Sequence, residues 1–360
     1  MSSEFGKAVK ISIFGESHAA ALGVVIDGLP AGESVDIESI KAFISRRSPS
    51  GDYSTSRRES DEPEILSGVF RGKTCGSPLC IMFRNTDARP DDYSDFEHVP
   101  RPSHADYTAH VRYGGFNDFR GAGHLSGRLT LPLCAAGAIC RDILSRRGVN
   151  IGAHIASISD VNDEKFNSTD ISEEVLGSLR ASAFPLLNPT LEEKMRSRIS
   201  AAHSAGDSLG GTIECAVTGF PCGVGSPLFD GIENRIASAV FAVPSVKGIE
   251  FGSGFAGSAL TGSENNDAFL LHEGKIATRT NNSGGILGGI SDGMPIVFRV
   301  ALKPVPSIAV AQKTVDIENL RECEISIKGR HDACVVPRAV PCIEAAAAVT
   351  LLDMLICERN

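Results

Sequence analysis

The feature that most restricts the fold is a pattern of turns and glycines that occurs twice along the 360-residue chain. A Gly-X-Pro-X-Gly turn follows a predicted strand and precedes a predicted helix at 28–32 and again at 219–223. The later matches are a glycine series, a Phe-Arg strand end and a His-Asp pair: Gly68, Gly72, Gly76 and Pro78 with Gly285, Gly289, Gly293 and Pro295; Phe83-Arg84 with Phe298-Arg299; His104-Ala105-Asp106 with His331-Asp332. This period is too long for a solenoid. The pattern therefore indicates two duplicated halves, approximately 7–148 and 208–357, within a single compact domain 1–360.

Hydrophobic periodicity predicts a mixed α+β chain. Alternating apolar residues indicate strands, and an apolar residue every three or four positions indicates helices. The predicted strands are 7–14, 22–27, 64–70, 79–85, one within 149–188, 211–218, about 247–251 and about 295–302. The predicted helices run from an Asp36 cap to about 47, from about 132 to 147, from a Thr190–Glu193 capping box to about 202, from about 228 to 243 and from 340 to 357. Each half closes with a long apolar helix.

Composition excludes several classes of protein. The net charge of −9 argues against nucleic-acid or anionic-membrane partners, so an anionic ligand must meet a local cluster of arginines. Ten cysteines are scattered from Cys75 to Cys357 without CxxC pairs or zinc spacing, which predicts a reducing cytoplasm and no metal site. The N-terminus has no signal-peptide pattern, and we expect no apolar run long enough to span a bilayer.

The stretch 101–128 carries most of the chemistry-bearing side chains. It holds histidines, acids and arginines among glycines, with aromatic residues but little aliphatic filler. Buried charges and imidazoles are costly unless they are paired, so this is not an ordinary core segment. We interpret it as a loop that wraps an anionic, planar ligand; a solvated surface loop is the alternative.

Three familiar motifs are only approximated. Gly15-Glu16-Ser17-His18-Ala19 lacks the last glycine of a nucleophile elbow, although a hydrolase using Ser17 remains an alternative. The segment 68–74 is one residue short of a phosphate-binding P-loop. The segment 121–126 has Ser126 where a dinucleotide fingerprint requires glycine. None of the three predicts a function.

The remaining features are histidines, paired arginines and glycine-rich turns. Histidine exchanges protons near neutral pH, arginine forks suit phosphate and carboxylate, and glycine lets backbone N–H groups approach an anion or a flat ring. They occur at His18, at Arg46, Arg47, Arg57 and Arg58, in 101–128, in 281–293, in 303–307 and in 328–341. Together they predict an acid–base site for a polyanion beside a second ligand.

These residues resemble one family over nearly the whole chain and in family order. The matching segments are GESH (15–18), VIDGLPAG (25–32), RRSP (46–49), RRESDEPEILSGVFRGKTCGSP (57–78), NTDARPDDY (85–93), RPSHADYT (101–108), DFRGAGHLSGR (118–128), AGDSLGG (205–211), PCGVGSP (221–227), VKGIEFG (246–252), NNSGGILGGISDG (281–293), KPVPS (303–307) and GRHDACVVPRAVPCIEA (329–345). The chain resembles the chorismate synthases. So many matched segments are far more specific than any single motif.

The resemblance implies an activity, a cofactor and a fold. The activity is the anti-1,4-elimination of phosphate from 5-enolpyruvylshikimate 3-phosphate, which gives chorismate, the last common step of the route to aromatic amino acids. Family members require reduced FMN, with NADPH as a possible source of electrons. They are homotetramers with a β-α-β-α sandwich built by duplication, which agrees with the repeated pattern.

The resemblance also assigns residues. His18 matches the histidine proposed to protonate the leaving phosphate, His104 the one proposed to protonate reduced flavin, and Asp332 an acid thought to assist proton removal. Substrate anions are expected at Arg47, Arg57, Arg128 and Arg338. Flavin contacts are expected at His124, Leu125, Ser126, Gly288, Lys303, Pro304, Val305, Pro306, Ser307 and Arg330. Arg47 also matches an arginine linked to NADPH.

The sequence departs from the family pattern in three places. One is Ser48, which follows Arg47 where many members have a second arginine linked to NADPH. Ala19 stands where the family commonly has glycine. His124, Leu125 and Leu129 replace a common arginine, serine and glutamate, so one hydroxyl contact to flavin is lost. We expect activity with an altered flavin pocket; a non-catalytic flavin- or phosphometabolite-binding homologue is the alternative.

Overall fold

The computed structural model describes residues 3–48, 59–87, 97–327 and 332–358, and it mixes helix and sheet as expected. The strands are β1 (Glu4–Phe5), β2 (Lys10–Gly15), β3 (Ala21–Asp27), β4 (Glu64–Ser67), β5 (Val69–Phe70), β6 (Lys73–Thr74), β7 (Leu79–Arg84), β8 (Asn150–Ile158), β9 (Val161–Asn162), β10 (Gly211–Thr218), β11 (Val246–Phe251), β12 (Phe269–His272), β13 (Lys275–Thr278), β14 (Ile286–Leu287), β15 (Ile290–Ser291), β16 (Ile296–Leu302), β17 (Gln312–Asp316) and β18 (Arg321–Ile325). The helices are α1 (Ile37–Ser45), α2 (Asp106–Tyr113), α3 (Thr130–Ser145), α4 (Glu173–Ala181), α5 (Glu192–Ser204), α6 (Ile232–Val240), α7 (Gly262–Asn265) and α8 (Val336–Cys357).

The first sheet is antiparallel, with the strand order β1-β2-β3-β7-β4. Along β7, Leu79, Ile81 and Phe83 are buried, and the residues between them are more exposed. Successive side chains of a strand point to opposite faces, so this alternation places one face of the sheet on the core. On β3, Val24 and Ile26 belong to the same core.

The second sheet is also antiparallel and has the order β11-β16-β10-β8-β9. On β10, Cys215 and Val217 belong to the main core, whereas Ala216 lies in a second cluster with Leu176 and Leu179 of α4. Both faces of this sheet are therefore covered. Four adjacent strands in each sheet have the same arrangement. In both β2-β3-β7-β4 and β8-β10-β16-β11, the third strand in space is the last of the four along the chain.

Two long helices lie between the sheets. Helix α3 packs on the first sheet, α8 packs on the second, and the two helices pack against each other. Their closest approach is at Gly137, where an added Cβ would lie 2.3 Å from the Cβ of Ala345. The buried Asp353 of α8 also accepts hydrogen bonds from the backbone N–H groups of Lys7, Ala8 and Val9. The last helix thus joins the two halves of the chain.

Helix α8 corrects the expectation that no apolar run reaches the length of a membrane span. Among the described residues it is one helix of 22 residues that is apolar enough by length and composition, and 89% of its most apolar window is buried inside the protein. A helix that contacts protein on every side is apolar all round. The same pattern that suits a bilayer therefore suits the centre of this core.

Several expected boundaries are wrong. The stretch 101–128 is not one loop, because α2 occupies its middle. The region 149–188 contains α4, whose start is capped by the Ser172 hydroxyl, 3.3 Å from the Val175 backbone nitrogen. Helix α8 begins at Val336 and not at residue 340. Proline restricts the residue before it and lacks an N–H, so Pro337 and Pro341 obscured the true start.

Local hydrogen bonds explain the other differences. The Thr190–Glu193 capping box does not form: the Asn188 side chain caps a short 3-10 turn, Pro189–Leu191, and α5 follows at Glu192. The predicted helix 228–243 divides into a 3-10 turn, Leu228–Asp230, and α6. The predicted strand 64–70 is interrupted at Gly68, whose φ of 84° is outside the β region. In contrast, the Asp36 cap on α1 is confirmed.

Candidate active site

A cavity of about 540 Å³ lies against the stretch 101–128. Its wall combines an imidazole, aromatic rings and an amide, supplied by His104, Tyr113, Phe119 and Asn117. Glu16, from the turn after β2, lies on the wall as well. The volume is typical of a pocket for a small molecule or cofactor. The aromatic and histidine-rich stretch therefore borders a pocket, as the sequence indicates.

His18 is 9% exposed, and its ring lies against Gly121, the neighbour of Ala122 on the cavity wall. The backbone nitrogen of Ser17 donates to the carbonyl of Gly123 at 3.1 Å, which fixes the turn against the 120–125 segment. A Cβ on Gly121 would lie 2.6 Å from the His18 Nε2, so only glycine fits over the imidazole. Ser17 is itself only 2% exposed. A nucleophile elbow presents an exposed hydroxyl, so the hydrolase alternative is wrong.

His104 is held by an acid. Its Nδ1 lies 2.6 Å from Oδ1 of Asp106, and Asp106 accepts two hydrogen bonds from the guanidinium of Arg101, at 2.7 and 2.8 Å. Burial lowers the pKa of the His104 imidazole; Asp106 opposes that change, and the cations of Arg101 and Lys303 add to it. The imidazole is therefore neutral at neutral pH and able to accept a proton.

Two arginines share one carboxylate. The guanidinium of Arg128 lies 2.6 Å from Oδ1 of Asp61, and that of Arg47 lies 3.5 Å from Oδ2. The Arg47 Nε also donates to the Thr130 hydroxyl at 2.8 Å. Arg338 donates from Nε to the Arg47 carbonyl at 2.9 Å. All three arginine side chains are at least four-fifths buried, so the cluster concentrates positive charge in a protected place.

The cluster has capacity for an anion. Burial lowers the pKa of Arg128 and of Arg338, although nearby acids act in the opposite direction. Asp332 forms the ion pair with Arg338. Within the described part of the chain, the Nη2 of Arg128 is buried without a hydrogen-bond partner. Leaving a buried charged donor unsatisfied is costly, and an anionic ligand would remove that cost.

Asn85 connects the cavity with the arginines. Its amide donates to the carbonyls of Glu16 and Ala19, at 3.1 and 2.8 Å, on either side of His18. Its Oδ1 accepts from the Arg128 Nε at 3.1 Å. One side chain thus hydrogen-bonds both the turn that carries His18 and the arginine cluster, so the two regions are adjacent.

The segment 303–307 reaches the same place from the second half. The Ser307 hydroxyl accepts a hydrogen bond from Nη1 of Arg101 at 3.2 Å. The Lys303 ammonium donates to the Ser103 carbonyl, and burial lowers the pKa of this lysine. The Val305 carbonyl accepts from Ser208 at 2.7 Å, and Pro304 and Pro306 fix the path between these contacts. The segment therefore lies next to His104, where a flavin contact was expected.

The other expected cofactor contacts are distributed differently. His124 is held between the Gly15 carbonyl at 2.7 Å and the Ser3 hydroxyl at 2.8 Å. Leu125 lines the cavity, whereas the Ser126 hydroxyl accepts from the Arg128 backbone nitrogen at 3.3 Å. Gly288 lies in the turn between β14 and β15, a hairpin that is bonded to the start of α6. Arg57 and Arg330 lie outside the described residues, so their roles stay predictions.

Sequence reasoning missed the residues that join the site. Asp61 and Asn85 lie in matched segments but were given no role, and Thr130 was not selected. The one available signal was the His-Ala-Asp spacing, which places Asp106 two residues after His104. Arg46, in contrast, was a candidate, but it forms a bidentate pair with Glu344 at 2.5 and 2.9 Å and is not available for a ligand.

A histidine on the cavity wall, a second one behind Gly121 and a buried cluster of arginines are typical of an enzyme that moves protons on a polyanionic substrate. Comparisons with known proteins identify the family. A family model described as chorismate synthase matches residues 9–356. A chorismate synthase from Lancefieldella parvula is 45% identical, over 99% of this chain and 96% of its own, and one from Thermococcus gammatolerans is 44% identical, over 98% and 97%.

A solved structure agrees with these relatives. The crystal structure of a chorismate synthase matches 98% of this chain and 93% of its own, with a TM-score of 0.76 and 29% sequence identity. The chain belongs to the chorismate synthase family. Enzymes of this family are lyases that convert 5-enolpyruvylshikimate 3-phosphate into chorismate, a step in aromatic amino acid biosynthesis.

Proposed function

We propose that this chain catalyses the anti-1,4-elimination of phosphate from 5-enolpyruvylshikimate 3-phosphate with the help of reduced FMN. The observation that carries the proposal is the continuity, through Asn85, between the histidine-bordered cavity and the arginine cluster. A substrate with a phosphate and two carboxylates needs several arginines, and a reaction that releases phosphate needs proton donors. Both requirements meet in one site.

The substrate's anionic groups bind to Arg47, Arg128 and Arg338, with Arg57 as a further contact from outside the described residues. The Nη2 of Arg128, which has no hydrogen-bond partner among the described residues, and the near-complete burial of this side chain support the assignment. Charge-assisted hydrogen bonds from guanidinium to phosphate or carboxylate are among the strongest in proteins. The shared Asp61 holds the two guanidinium groups apart at fixed positions, so the anion meets a preformed site.

Reduced FMN fits the cavity. The rings of Tyr113 and Phe119 offer faces for a flat heterocycle. The segment 303–307 lies behind the wall, where Ser307 accepts a hydrogen bond from Arg101. Tyr113, Phe119 and Leu125 would hold the reduced flavin, which would supply electron density for the elimination. His124 and Leu125 lie on the cavity wall, and Ser126 follows them in the chain. Gly288 and Arg330 stay candidate contacts. Arg47 is also the candidate contact for NADPH.

Protons are moved by three side chains. His18 protonates the leaving phosphate. His104, neutral before the ligand binds, takes up a proton from solvent on Nε2 and would then donate it to the reduced cofactor. Asp332 assists proton removal from the substrate ring, and its ion pair with Arg338 places it beside the arginine cluster. Groups of this kind each contribute on the order of 10²- to 10⁴-fold in rate.

The finer architecture and assembly are part of the proposal. The matching chain order of the central strands supports a β-α-β-α sandwich produced by duplication, with halves at 7–148 and 208–357. The exposed apolar residues of the β12–β13 hairpin, Phe269, Leu271 and Ile276, support a homotetramer. Ten free thiols support a cytoplasmic location.

The deciding experiment is an anaerobic assay of the purified protein with substrate and photoreduced FMN. We expect stoichiometric release of phosphate and formation of chorismate. Saturable binding of FMN and substrate without turnover would identify the non-catalytic homologue. A parallel aerobic assay with only NADPH and oxidised FMN tests the electron source; we expect no turnover there, because an outside reductant supplies the electrons.

His104→Ala tests the assigned acid–base group. We expect turnover to fall by about 100-fold or more, with an unchanged circular dichroism spectrum. The control is His203→Ala, which alters an exposed histidine of α5. Equal activities of the two variants would show that His104 is incidental.

A further inference from the structure

We infer that Asp106, held rigid by Arg101, is a positioning residue that fixes the tautomer and orientation of His104. This inference rests on the proposed function, because it explains how the assigned histidine is prepared for its reaction. The three residues lie within one tight turn, in which the His104 backbone nitrogen donates to the Arg101 carbonyl at 3.2 Å. Ser103 adopts a φ of 58° in this turn.

The carboxylate of Asp106 has little freedom to rotate. Its Oδ2 accepts from the Arg101 backbone nitrogen at 3.0 Å and from Nε at 2.7 Å. Its Oδ1 accepts from Nη2 of Arg101 at 2.8 Å and lies 2.6 Å from the His104 Nδ1. Both Arg101 and Asp106 are more than nine-tenths buried. Since three hydrogen bonds from Arg101 converge on one carboxylate, its position and plane are fixed beside the His104 ring.

A fixed carboxylate selects one form of the neutral imidazole. An ionised carboxylate can only accept, so the facing Nδ1 must carry the hydrogen. Although burial opposes ionisation, hydrogen bonds from Arg101 and His104 hold the pKa of Asp106 well below its usual range, so the carboxylate stays charged. The Nε2 of His104 then carries the lone pair and is the nitrogen that exchanges protons with a ligand in the cavity.

The same arrangement connects His104 to the other half of the chain. Arg101 bonds Ser307 through Nη1, the one end of its fork that does not contact Asp106, and Lys303 donates to the carbonyl next to His104. The charged groups that face the imidazole are thus Arg101, Asp106 and Lys303. Arg101 therefore links the Asp106–His104 pair on the cavity wall to Ser307 of the second half of the chain.

The tautomer can be measured without catalysis. We propose labelling the nine histidines of the full chain with ¹⁵N, assigning His104 by its loss in His104→Gln, and recording the ring-nitrogen shifts during a pH titration. We expect the neutral form of His104 to carry hydrogen on Nδ1. A neutral form protonated on Nε2 in the unaltered protein would overturn the inference, whatever the assay of turnover shows.

Asp106→Asn then tests the consequence for the reaction. We expect kcat to fall about 10- to 100-fold with KM changed less than about twofold, and the pH profile of kcat to shift. Asp106→Glu, which keeps the charge, should recover part of that loss. Asp142→Asn is the control, because Asp142 is a half-buried acid paired with Arg141. Equal kcat values for Asp106→Asn and the control would refute the positioning role.

The ¹⁵N titration and the kinetics of Asp106→Asn distinguish a failure of this inference from a failure of the proposed function. If the unaltered protein binds its ligands but does not release phosphate, the proposed function fails, and the tautomer measurement still decides the positioning of His104. If Asp106→Asn does not fold, the titration of the unaltered protein alone decides it.

Discussion

At the scale of single residues, the site depends on cations that are buried and only partly neutralised. Arg47 and Arg128 share Asp61, and Asn85 holds Arg128 to the turn that carries His18. Arg128 has one nitrogen that makes no bond within the described part of the chain. Such an arrangement stores an unfavourable free energy that ligand binding relieves, because the anion supplies the missing acceptor.

Arg128→Ala should therefore weaken substrate binding more than folding. We expect kcat/KM to fall at least about 30-fold, equivalent to about 2 kcal/mol, because a fully desolvated charge–charge contact is lost. Asp61 keeps its contact with Arg47, so the fold should persist. Steady-state kinetics and circular dichroism measure both effects. Arg198→Ala, which alters a surface pair with Asp160, is the control; a matching kcat/KM in the two variants would rule out the assignment.

At the scale of elements, the contact between α3 and α8 leaves no room for a side chain at Gly137. Gly137 lies inside α3, where alanine is normally more stable by about 1 kcal/mol. Here its Cβ would lie 2.4 Å from the Cα of Ala345, so the helices would have to separate. Gly137→Ala should destabilise the protein by about 1–3 kcal/mol. Urea unfolding measures the change.

Gly177 of α4 provides the matched comparison. A Cβ there would meet only the Arg180 Nη2, at 3.8 Å, which is an ordinary contact. Gly177→Ala should therefore stabilise the protein by about 0.5–1 kcal/mol, through helix propensity alone. If both substitutions stabilise, the proposed close contact between α3 and α8 is wrong.

The second sheet contains a buried charge network that should make stability depend on pH. His154 of β8 lies 3.0 Å from Asp163 and 3.1 Å from Glu214, and it is fully buried. Although burial opposes protonation, hydrogen bonds with the two acids raise the pKa of His154 above its usual value. A group with a raised pKa in the folded state stabilises fully below its unfolded pKa and loses that contribution as pH rises through the folded one.

The free energy of unfolding should therefore decline as pH rises from about 6.5, the ordinary pKa of histidine. His154→Gln should remove that decline and lower stability at pH 6 by about 3–5 kcal/mol, because two buried acids lose their cation. Urea titrations at several pH values measure this. His203→Gln is the exposed control, and a decline that persists in His154→Gln would assign the pH dependence to another group.

At the scale of the whole molecule, the β12–β13 hairpin is a paired but isolated element with an apolar surface. Leu271 is 80% exposed and Ile276 is 71% exposed. Each side chain of this kind gains about 1.5–3 kcal/mol when it is fully buried, so a partner surface is favoured. The proposed homotetramer supplies one by contact between copies of the chain.

Leu271→Asp should therefore reduce the assembly to smaller species, because a charge placed in an apolar interface is costly. Light scattering after size-exclusion chromatography measures the mass, against 38.0 kDa for one chain. Leu320→Asp changes a leucine that is 88% exposed on the separate β17–β18 hairpin, and it should leave the mass unchanged. A tetrameric mass for Leu271→Asp would exclude the β12–β13 hairpin as the interface.

The features that could be predicted from the amino-acid order are those that depend on short-range interactions. The alternation in β7, the Asp36 cap and the turn glycines depend on neighbours within a few residues, and the matched segments were specific enough to name the family. Helix α4 and the start of α8 were missed, because polar surface residues and prolines obscure a helical pattern. Local signals are readable because their partners are close in sequence.

The contacts that connect the parts of the site are visible only in the folded protein. Asp61 contacts arginines that come before and after it in the chain, Asn85 reaches both Glu16 and Arg128, and Ser307 meets Arg101 across 206 residues. None of these pairs follows a local spacing rule. They depend on how α3 and α8 bring the two sheets together, because the positions of distant loops are set by core packing and not by the residues of the loops themselves.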